Sequence, residues 1–242
     1  MSALTGEFLG TMVLIIFGGG VVANVVLSRS KGEGAGWIAI TTGWAIAVII
    51  GVFVAQSAGS EQADINPAIT FAKYLLGGTY TTAQLFKTIA AELSGAFLGA
   101  VVVWLAYLPH WKVTSNPDKK LAVFSTSPAI KNIPANLLNE IIGTTILVIG
   151  VGAIFGAATQ GSPVPGLGPY LVGMLVWGIG LSLGGATGYA VNPARDLGPR
   201  IAHAILPIPG KGTSDWSYAW VPVTGPLIGA LLGAGLWRIF FT

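Results

Sequence analysis

The chain has 242 residues, of which 53% are hydrophobic and only 9% are charged. Soluble domains carry about 25% charged residues, so this composition excludes an ordinary soluble protein and indicates an integral membrane protein. The formal net charge is +3, but the 12 basic residues are spread over several loops, so no nucleic-acid partner is expected. The absence of cysteine excludes disulfides and thiol catalysis.

Hydropathy along the chain predicts six transmembrane helices, each near the ~20 residues that cross a bilayer. They cover approximately Leu4–Leu27, Trp37–Ala58, Thr82–Leu108, Ala135–Ala158, Pro169–Tyr189 and Ala219–Phe241. The first is interpreted as a retained span, because no basic residue precedes Arg29 and the apolar run is too long for a signal peptide. Two polar segments, Pro109–Pro134 and Ile205–Ser217, are predicted to be aqueous loops.

Two copies of one tripeptide, Asn66-Pro67-Ala68 and Asn192-Pro193-Ala194, each open a much shorter apolar segment. Proline suits the first helical position, and asparagine before it is a good N-cap whose NH₂ group stays free to donate. The predicted helices run from Pro67 to Gly77 and from Pro193 to Ala204. Eleven helical residues span about 16 Å, roughly half of a ~30 Å hydrocarbon core. These are therefore half-helices, and their positive ends, meeting at mid-membrane, would disfavour a cation.

An internal duplication is visible in the order of the apolar segments: long, long, short and long, given twice. Glu7-Phe8-Leu9-Gly10-Thr11 matches Glu140-Ile141-Ile142-Gly143-Thr144, and Gly95 and Gly99 match Gly225 and Gly229. Because each half has three full spans, an odd number, the second half must be inverted in the membrane. The sequence thus predicts one channel domain over residues 1–242, with inverted repeats at about 1–108 and 135–242 joined by loop 109–134. Such repeats place a transport site at the membrane midplane.

The paired tripeptides, the repeated Glu-x-x-Gly-Thr and the run from Gly188 to Arg200 resemble the aquaporin, or major intrinsic protein, family over the whole chain. Asp196 after Arg195 resembles the glycerol-facilitator branch. The resemblance implies an all-α membrane channel of six transmembrane helices and two re-entrant half-helices. It also implies a homotetramer in the plasma membrane, with one pore per protomer and both termini cytoplasmic.

The distribution of basic residues predicts the opposite orientation. The segments after the first and third spans carry most of the basic side chains near span ends, and the positive-inside rule would place them in the cytoplasm. These residues are Arg29, Lys31, Lys112, Lys119, Lys120 and Lys131, against mainly Lys73, Lys87 and Arg238 on the other side.

The resemblance also implies a selectivity ring of four residues, Trp44, Gly180, Tyr189 and Arg195. The arginine would bind solute oxygens and repel cations, and the two aromatic residues would form an apolar corner. Gly180 would leave the ring wide. Trp44 fits the ring if the stretch Ala58–Asp64 is about two residues longer than usual in the family.

Several acidic residues are expected to support or border the pore. Glu7 and Glu140 are ionisable groups inside spans, which marks them as functional, and the resemblance implies that they accept N–H groups of the re-entrant segments. Glu92 is a third candidate for such bracing, and Asp196 suits a helix N-terminus. Asp64, where the family pattern has histidine, would place a carboxylate at the inner pore mouth and hinder anions.

These residues predict a passive channel for glycerol and other small neutral solutes, with water. A channel for protonated lactic acid is the alternative, and a proton- or ion-coupled transporter is a weaker one that would need an ionisable relay. A purely structural junction protein would leave Arg195 unexplained. No other metal-ligating residues lie near His110 or His203 in the sequence, and no set of catalytic residues is recognisable. No enzymatic activity, metal or cofactor is therefore predicted.

Overall fold

The computed structural model describes residues 1–156, 163–164 and 166–241. Within these ranges all regular secondary structure is helical. The helices are α1 (Ala3–Val26), α2 (Gly36–Ser57), α3 (Pro67–Leu76), α4 (Thr82–Ala106), α5 (Leu108–Val113), α6 (Pro117–Ala122), α7 (Ile133–Phe155), α8 (Leu167–Ser182), α9 (Pro193–Ile205) and α10 (Val221–Phe240). Five of them, α1, α2, α4, α7 and α10, are long and apolar enough to cross a membrane, so the chain is a multi-pass membrane protein.

Helix α8 is shorter than the predicted fifth span. It is apolar but has only 16 residues and ends at Ser182, seven positions before the predicted end at Tyr189. The predicted end was wrong because hydropathy cannot distinguish a helix from an apolar chain that turns back into the membrane. The turns at residues 183–187 and the positive φ of Gly188 redirect the backbone toward Asn192. The predicted end of the fourth span, Ala158, lies outside the described residues.

The two half-helices form as predicted, to within one residue at their C-terminal ends. Asn66 caps α3 by accepting from Ala68 N at 2.9 Å, and Asn192 caps α9 by accepting from Ala194 N at 3.0 Å. Helix α3 ends at Leu76, and the next residue, Gly77, has a φ of +87°, which favours glycine. Each half-helix is therefore fixed at its N-terminus by its own tripeptide.

Close helix contacts place the half-helices inside the bundle. Helix α1 packs against α2 and α4, α10 packs against α7 and α3, and α4 packs against α9. Small residues allow these contacts: a Cβ on Gly95 would lie 2.1 Å from Phe8 O, and one on Gly229 would lie 2.6 Å from Ile141 O. Both termini lie on one face, called the terminal face below, since the N-terminal Met1 backbone contacts Gly59 and Arg238 near the C-terminus donates to Leu75 O at 2.6 Å.

The segment between α4 and α7 is not the aqueous loop that its composition predicts. It contains the short helices α5 and α6, and it buries Trp111 and Phe124, each only 1% exposed. The Phe124 ring packs edge-on against His203, with ring centroids 5.3 Å apart. The segment therefore folds inward over α9, on the face opposite the termini, which we call the loop face.

We expect Gly95→Ala to destabilise the fold, because the added methyl group would overlap the Phe8 carbonyl and push α1 from α4. Overpacking of this kind costs about 1–3 kcal/mol, which should appear as a lower thermal unfolding midpoint in detergent. Gly235→Ala is the matched control, since a Cβ there meets nothing within 4 Å. Equal midpoints for the two variants would contradict the close packing.

Candidate functional site

The two half-helices meet tip to tip through their asparagines. Asn66 Nδ2 donates to Val191 O at 2.9 Å, and Asn192 Nδ2 donates to Ile65 O at 2.9 Å. Each asparagine thus caps its own helix with its oxygen and binds the opposite re-entrant segment with its NH₂ group. Because an amide NH₂ has two hydrogens, one hydrogen of each asparagine remains for another acceptor.

The backbone leading to each asparagine is strained at alternate residues. Ala63 and Ile65 have φ of +44° and +45°, and Tyr189 and Val191 have φ of +38° and +40°. Positive φ is unfavourable for β-branched residues such as Ile65 and Val191. Strain of this kind persists only where the surrounding structure enforces it, and it clusters at functional sites.

Glu7 enforces the first of these segments. Its Oε1 accepts from Ser60 Oγ at 2.6 Å and from Asp64 N at 3.0 Å, and its Oε2 accepts from Ile65 N at 2.8 Å. Both carboxyl oxygens are therefore occupied by donors of the re-entrant segment, and Glu7 is 1% exposed.

Glu140 holds the second segment in the same way. Its Oε1 accepts from Thr187 Oγ1 at 2.6 Å and from Ala190 N at 3.0 Å, and its Oε2 accepts from Val191 N at 2.9 Å. The two glutamates thus lie at equivalent places in the two halves. The hydroxyls of Ser60 and Thr187, which complete these networks, were missed from the sequence, although each lies five or six residues before its asparagine.

Asp64 lies at the terminal-face end of the site, but its carboxylate is not an unpaired charge there. Its Oδ1 forms an ion pair with Lys73, and its Oδ2 accepts from Tyr80 OH at 2.6 Å. The Asp64 side chain is fully buried, while that of Lys73 is 25% exposed. Burial and the neighbouring Asp64 carboxylate raise the pKa of Tyr80, so its hydroxyl keeps the proton that it donates. The expected hindrance of anions by Asp64 is therefore not supported, because Lys73 compensates its charge.

Asp196 joins α9 to the segment that covers it. Its Oδ2 accepts from Thr126 N at 2.8 Å and Thr126 Oγ1 at 2.7 Å, and Arg200 binds it in a bidentate pair with Nε 2.7 Å from Oδ1. Arg200 also donates to Ser214 O at 2.7 Å. Both charged side chains are fully buried. Thr126 gave no sequence signal, because a contact 70 residues away along the chain leaves no local pattern. Arg200 was also missed as a partner, although it lies four residues after Asp196, the spacing of ion pairs within a helix.

Trp44 and Arg195 come together at the loop-face end of the site. The Arg195 Cζ atom lies 4.1 Å from the centroid of a Trp44 ring, which is a cation–π contact. Arg195 Nη1 also reaches Phe124 O at 3.4 Å. The guanidinium is therefore held by an aromatic face and by a carbonyl of the covering segment, and it is 7% exposed.

Gly180 and Tyr189 are in contact, so Gly180 does not leave the open space that was expected beside it. A Cβ on Gly180 would lie 2.8 Å from Tyr189 Cζ, so the tyrosine ring occupies the room beside the glycine. Trp37, which the sequence did not single out, fixes this arrangement. Its Nε1 donates to Gly180 O at 3.0 Å, and its ring packs edge-on against Tyr189 with centroids 5.8 Å apart. The width of the site here depends on Tyr189.

A cavity of about 450 Å³ is lined by both asparagines and by Trp44, Tyr189 and Arg195. It extends from Trp44, Tyr189 and Arg195 past Asn66 and Asn192 to the terminal face. Its walls combine polar backbone of the two re-entrant segments with apolar side chains of the long helices. At the terminal-face end it is bordered by Gln56, Glu61, Gln62, Asp64 and Lys73, and its apolar wall includes Leu14, Val48, Val52, Leu147, Val148 and Val176.

The comparison with known families agrees with this geometry. Residues 1–237 match the family model described as Major intrinsic protein. The chain belongs to the major intrinsic protein family. The family assignment and the aquaporin-like fold predicted from the tripeptides are thus confirmed.

Individual relatives of this major intrinsic protein are similar over nearly their whole length. A probable glycerol uptake facilitator protein of Thermotoga maritima is 57% identical over 242 residues, covering 100% of both chains. A glycerol uptake facilitator protein of Streptococcus pneumoniae is 51% identical over 240 residues, covering 99% of this chain and 100% of that protein. The X-ray structure of the aquaglyceroporin from Plasmodium falciparum superposes with a TM-score of 0.83 at 27% identity, covering 98% of this chain and 95% of that chain.

We expect Arg200→Met to destabilise the protein strongly, because it leaves the Asp196 carboxylate buried without its cation. Breaking a buried pair in this way costs about 3–5 kcal/mol, measurable as a lower unfolding midpoint in detergent. Lys131→Met is the matched control: its nitrogen lies 3.6 Å from Asp215 in a pair whose lysine is 59% exposed, and exposed pairs contribute about 0–1 kcal/mol. A loss no larger than that of the control would contradict the structural role of this pair.

Proposed function

We propose that this protein is a passive channel through which glycerol and other small neutral solutes, together with water, diffuse across the membrane. The observation that carries the proposal is the cavity that Asn66 and Asn192 line, with Arg195 at one end. The similarity to glycerol uptake facilitators at 50–57% identity supports glycerol as the solute. No coupling to an ion gradient is needed for such a channel.

The walls of the cavity suit an amphipathic solute. Asn66 and Asn192 each have one amide hydrogen left to donate to a solute oxygen, and Arg195 offers fixed donors at the loop-face end. Carbonyls of the re-entrant segments would accept the solute hydroxyl hydrogens, while Val48 and Val148 face the carbon backbone. Glycerol, with hydroxyls along one side of a short carbon chain, matches both surfaces. Trp44, Tyr189 and Arg195 form the narrow end that selects, and Gly180 acts through Tyr189.

Cations would be excluded by the same parts. The positive ends of α3 and α9 meet at the asparagines, and each helix N-terminus carries roughly half a positive charge. Arg195 adds a full charge in a low-dielectric surrounding, where repulsion is stronger than in water. The compensated Asp64–Lys73 pair adds no net charge at the other end.

We further propose that residues 1–108 and 135–242 act as inverted repeats of one channel domain, and that the domain assembles as a homotetramer with one pore per protomer. The plasma membrane, with both termini cytoplasmic, is the proposed location. The terminal face would then be the cytoplasmic entrance, and the Arg195 end would face outward. The support is the family membership and the placement of both termini on one face.

The direct test is swelling of liposomes that contain the purified protein, in glycerol gradients, against protein-free liposomes. We expect glycerol flux that rises linearly with concentration and does not change when a proton or sodium gradient is imposed. Flux that saturates and depends on a gradient would contradict a channel and favour a coupled transporter. Lactic acid is measured in parallel at two pH values, since uptake that rises as pH falls and exceeds that of glycerol would identify the protonated acid as the main solute.

We expect Gly180→Ala to lower glycerol flux more than water flux. The new methyl group overlaps Tyr189 Cζ and should push the ring into the passage. The barrier to glycerol then rises, and a rise of about 1.4 kcal/mol lowers glycerol flux about tenfold. Gly178→Ala on the same helix is the control, because a Cβ there meets nothing within 4 Å. Equal loss of both solutes, or equal loss in both variants, would contradict the control of width by Tyr189.

A further inference from the structure

A third buried carboxyl group, that of Glu92 on α4, touches the first pore asparagine. Its Oε1 accepts from the backbone N of Asn66 at 3.0 Å and lies 2.8 Å from Thr70 Oγ1. Its Oε2 is buried and has no hydrogen-bond partner, and the residue is 0% exposed. Glu92 thus differs from Glu7 and Glu140, in which both oxygens accept hydrogen bonds.

The hydrogens around Thr70 do not suffice if every carboxyl group is ionised. Thr70 Oγ1 lies 2.8 Å from Glu92 Oε1 and 3.0 Å from Asp64 Oδ2, and it also lies 3.3 Å from Asn66 O. A threonine hydroxyl has one hydrogen, so it can donate to only one of these oxygens. The two carboxyl contacts can both be hydrogen bonds only if one of the acids supplies a second hydrogen.

Asp64 and Glu92 differ in their partners. The Asp64 carboxylate has Lys73 on one oxygen and the Tyr80 hydroxyl on the other. Among the described residues, no lysine, arginine or histidine nitrogen lies within 4.0 Å of the Glu92 carboxyl. An ionised carboxylate with one empty oxygen and no cation, buried in a membrane protein, is very unfavourable.

We propose that the Glu92 carboxyl group is protonated and donates a hydrogen bond to Thr70 Oγ1, which in turn donates to Asp64 Oδ2. Glu92 is then neutral while it positions the backbone of Asn66. The hydrogen bonds then run in one direction, from Glu92 through Thr70 to the Asp64–Lys73 pair. Glu92 is a positioning residue, because it acts on the solute only through Asn66. The importance of Asn66 rests on the proposed channel function, whereas the protonation of Glu92 does not.

Glu140 provides the contrast that a test needs. Its two oxygens accept from Ala190 N and Val191 N, so it works as a carboxylate, and an amide in its place would turn an NH₂ group toward a backbone N–H. An amide at position 92 can keep its oxygen on Asn66 N and place its NH₂ where Oε2 has no partner. Thr70 then donates to the amide oxygen instead of to Asp64, which keeps Lys73 and Tyr80 as partners. Glutamine should therefore replace Glu92 much better than it replaces Glu140.

The protonation is tested by infrared spectroscopy of the full chain in liposomes at neutral pH. We expect the carbonyl stretch of a protonated carboxylic acid in the unmodified protein and its loss in Glu92→Gln. Thr70→Val, which removes the hydroxyl at constant shape, should keep the band and shift its frequency, since the acid loses its acceptor. A spectrum in which neither Glu92→Gln nor Thr70→Val changes this region would overturn the proposal.

Glycerol swelling of the same liposomes tests the positioning role. We expect Glu92→Ala, which leaves the Asn66 N–H without an acceptor, to lower flux about tenfold, and Glu92→Gln to restore most of it. Glu140→Gln should lose flux as Glu92→Ala does. If Glu92→Gln is as defective as Glu140→Gln, Glu92 is needed as a carboxylate and the proposal fails. If the unmodified protein conducts no glycerol, the function proposed above fails, while the infrared band still decides the state of Glu92.

Discussion

The reciprocal hydrogen bonds between the two asparagines and the opposite re-entrant segments are the constraint on which the rest of the structure depends. Each amide NH₂ must reach a carbonyl that belongs to the other half of the chain, at 2.9 Å in both directions. This requirement fixes where the half-helices begin, how deeply the loops enter, and which backbone atoms border the cavity. The long helices satisfy it by packing closely at glycines such as Gly95 and Gly229, so that α4 and α10 can hold α9 and α3 at the centre of the bundle.

The strained loops exist because buried acids hold them. Ile65 and Val191 adopt positive φ values that β-branched residues normally avoid, and Glu7 and Glu140 bind the backbone N–H groups of those two residues. In a soluble protein, water could satisfy such N–H groups. In a membrane each unsatisfied group costs several kcal/mol, so the acceptor must come from the protein itself. The ionisable residues inside the spans therefore stabilise the re-entrant backbone that borders the cavity.

The two halves have the same order of helices, but they differ in the contacts that support the N-terminal end of each half-helix. The first half uses Glu92, Thr70 and the Asp64–Lys73 pair, and the second uses the buried Asp196–Arg200 pair with Thr126. The second support includes the segment that covers α9, and the same segment supplies the carbonyl that Arg195 approaches. The Arg195 end of the cavity is thus held by the segment between α4 and α7.

The sequence by itself determined the membrane class, five of the spans, both half-helices and the family, because hydropathy, proline, asparagine capping and the repeated tripeptide act over short stretches of chain. It also indicated Glu7 and Glu140, since ionisable residues inside a membrane span are rarely accidental, and the resemblance to the family indicated Arg195. Only the tertiary structure showed that the Asp64 carboxylate is paired with Lys73 and Tyr80. Only the tertiary structure showed that Tyr189, held by Trp37, occupies the space beside Gly180. It also decided the burial of Trp111 and Phe124 in a segment whose composition is that of a loop. These outcomes were hidden because each is set by partners from other elements, and pairing across space leaves no periodic pattern in a single sequence.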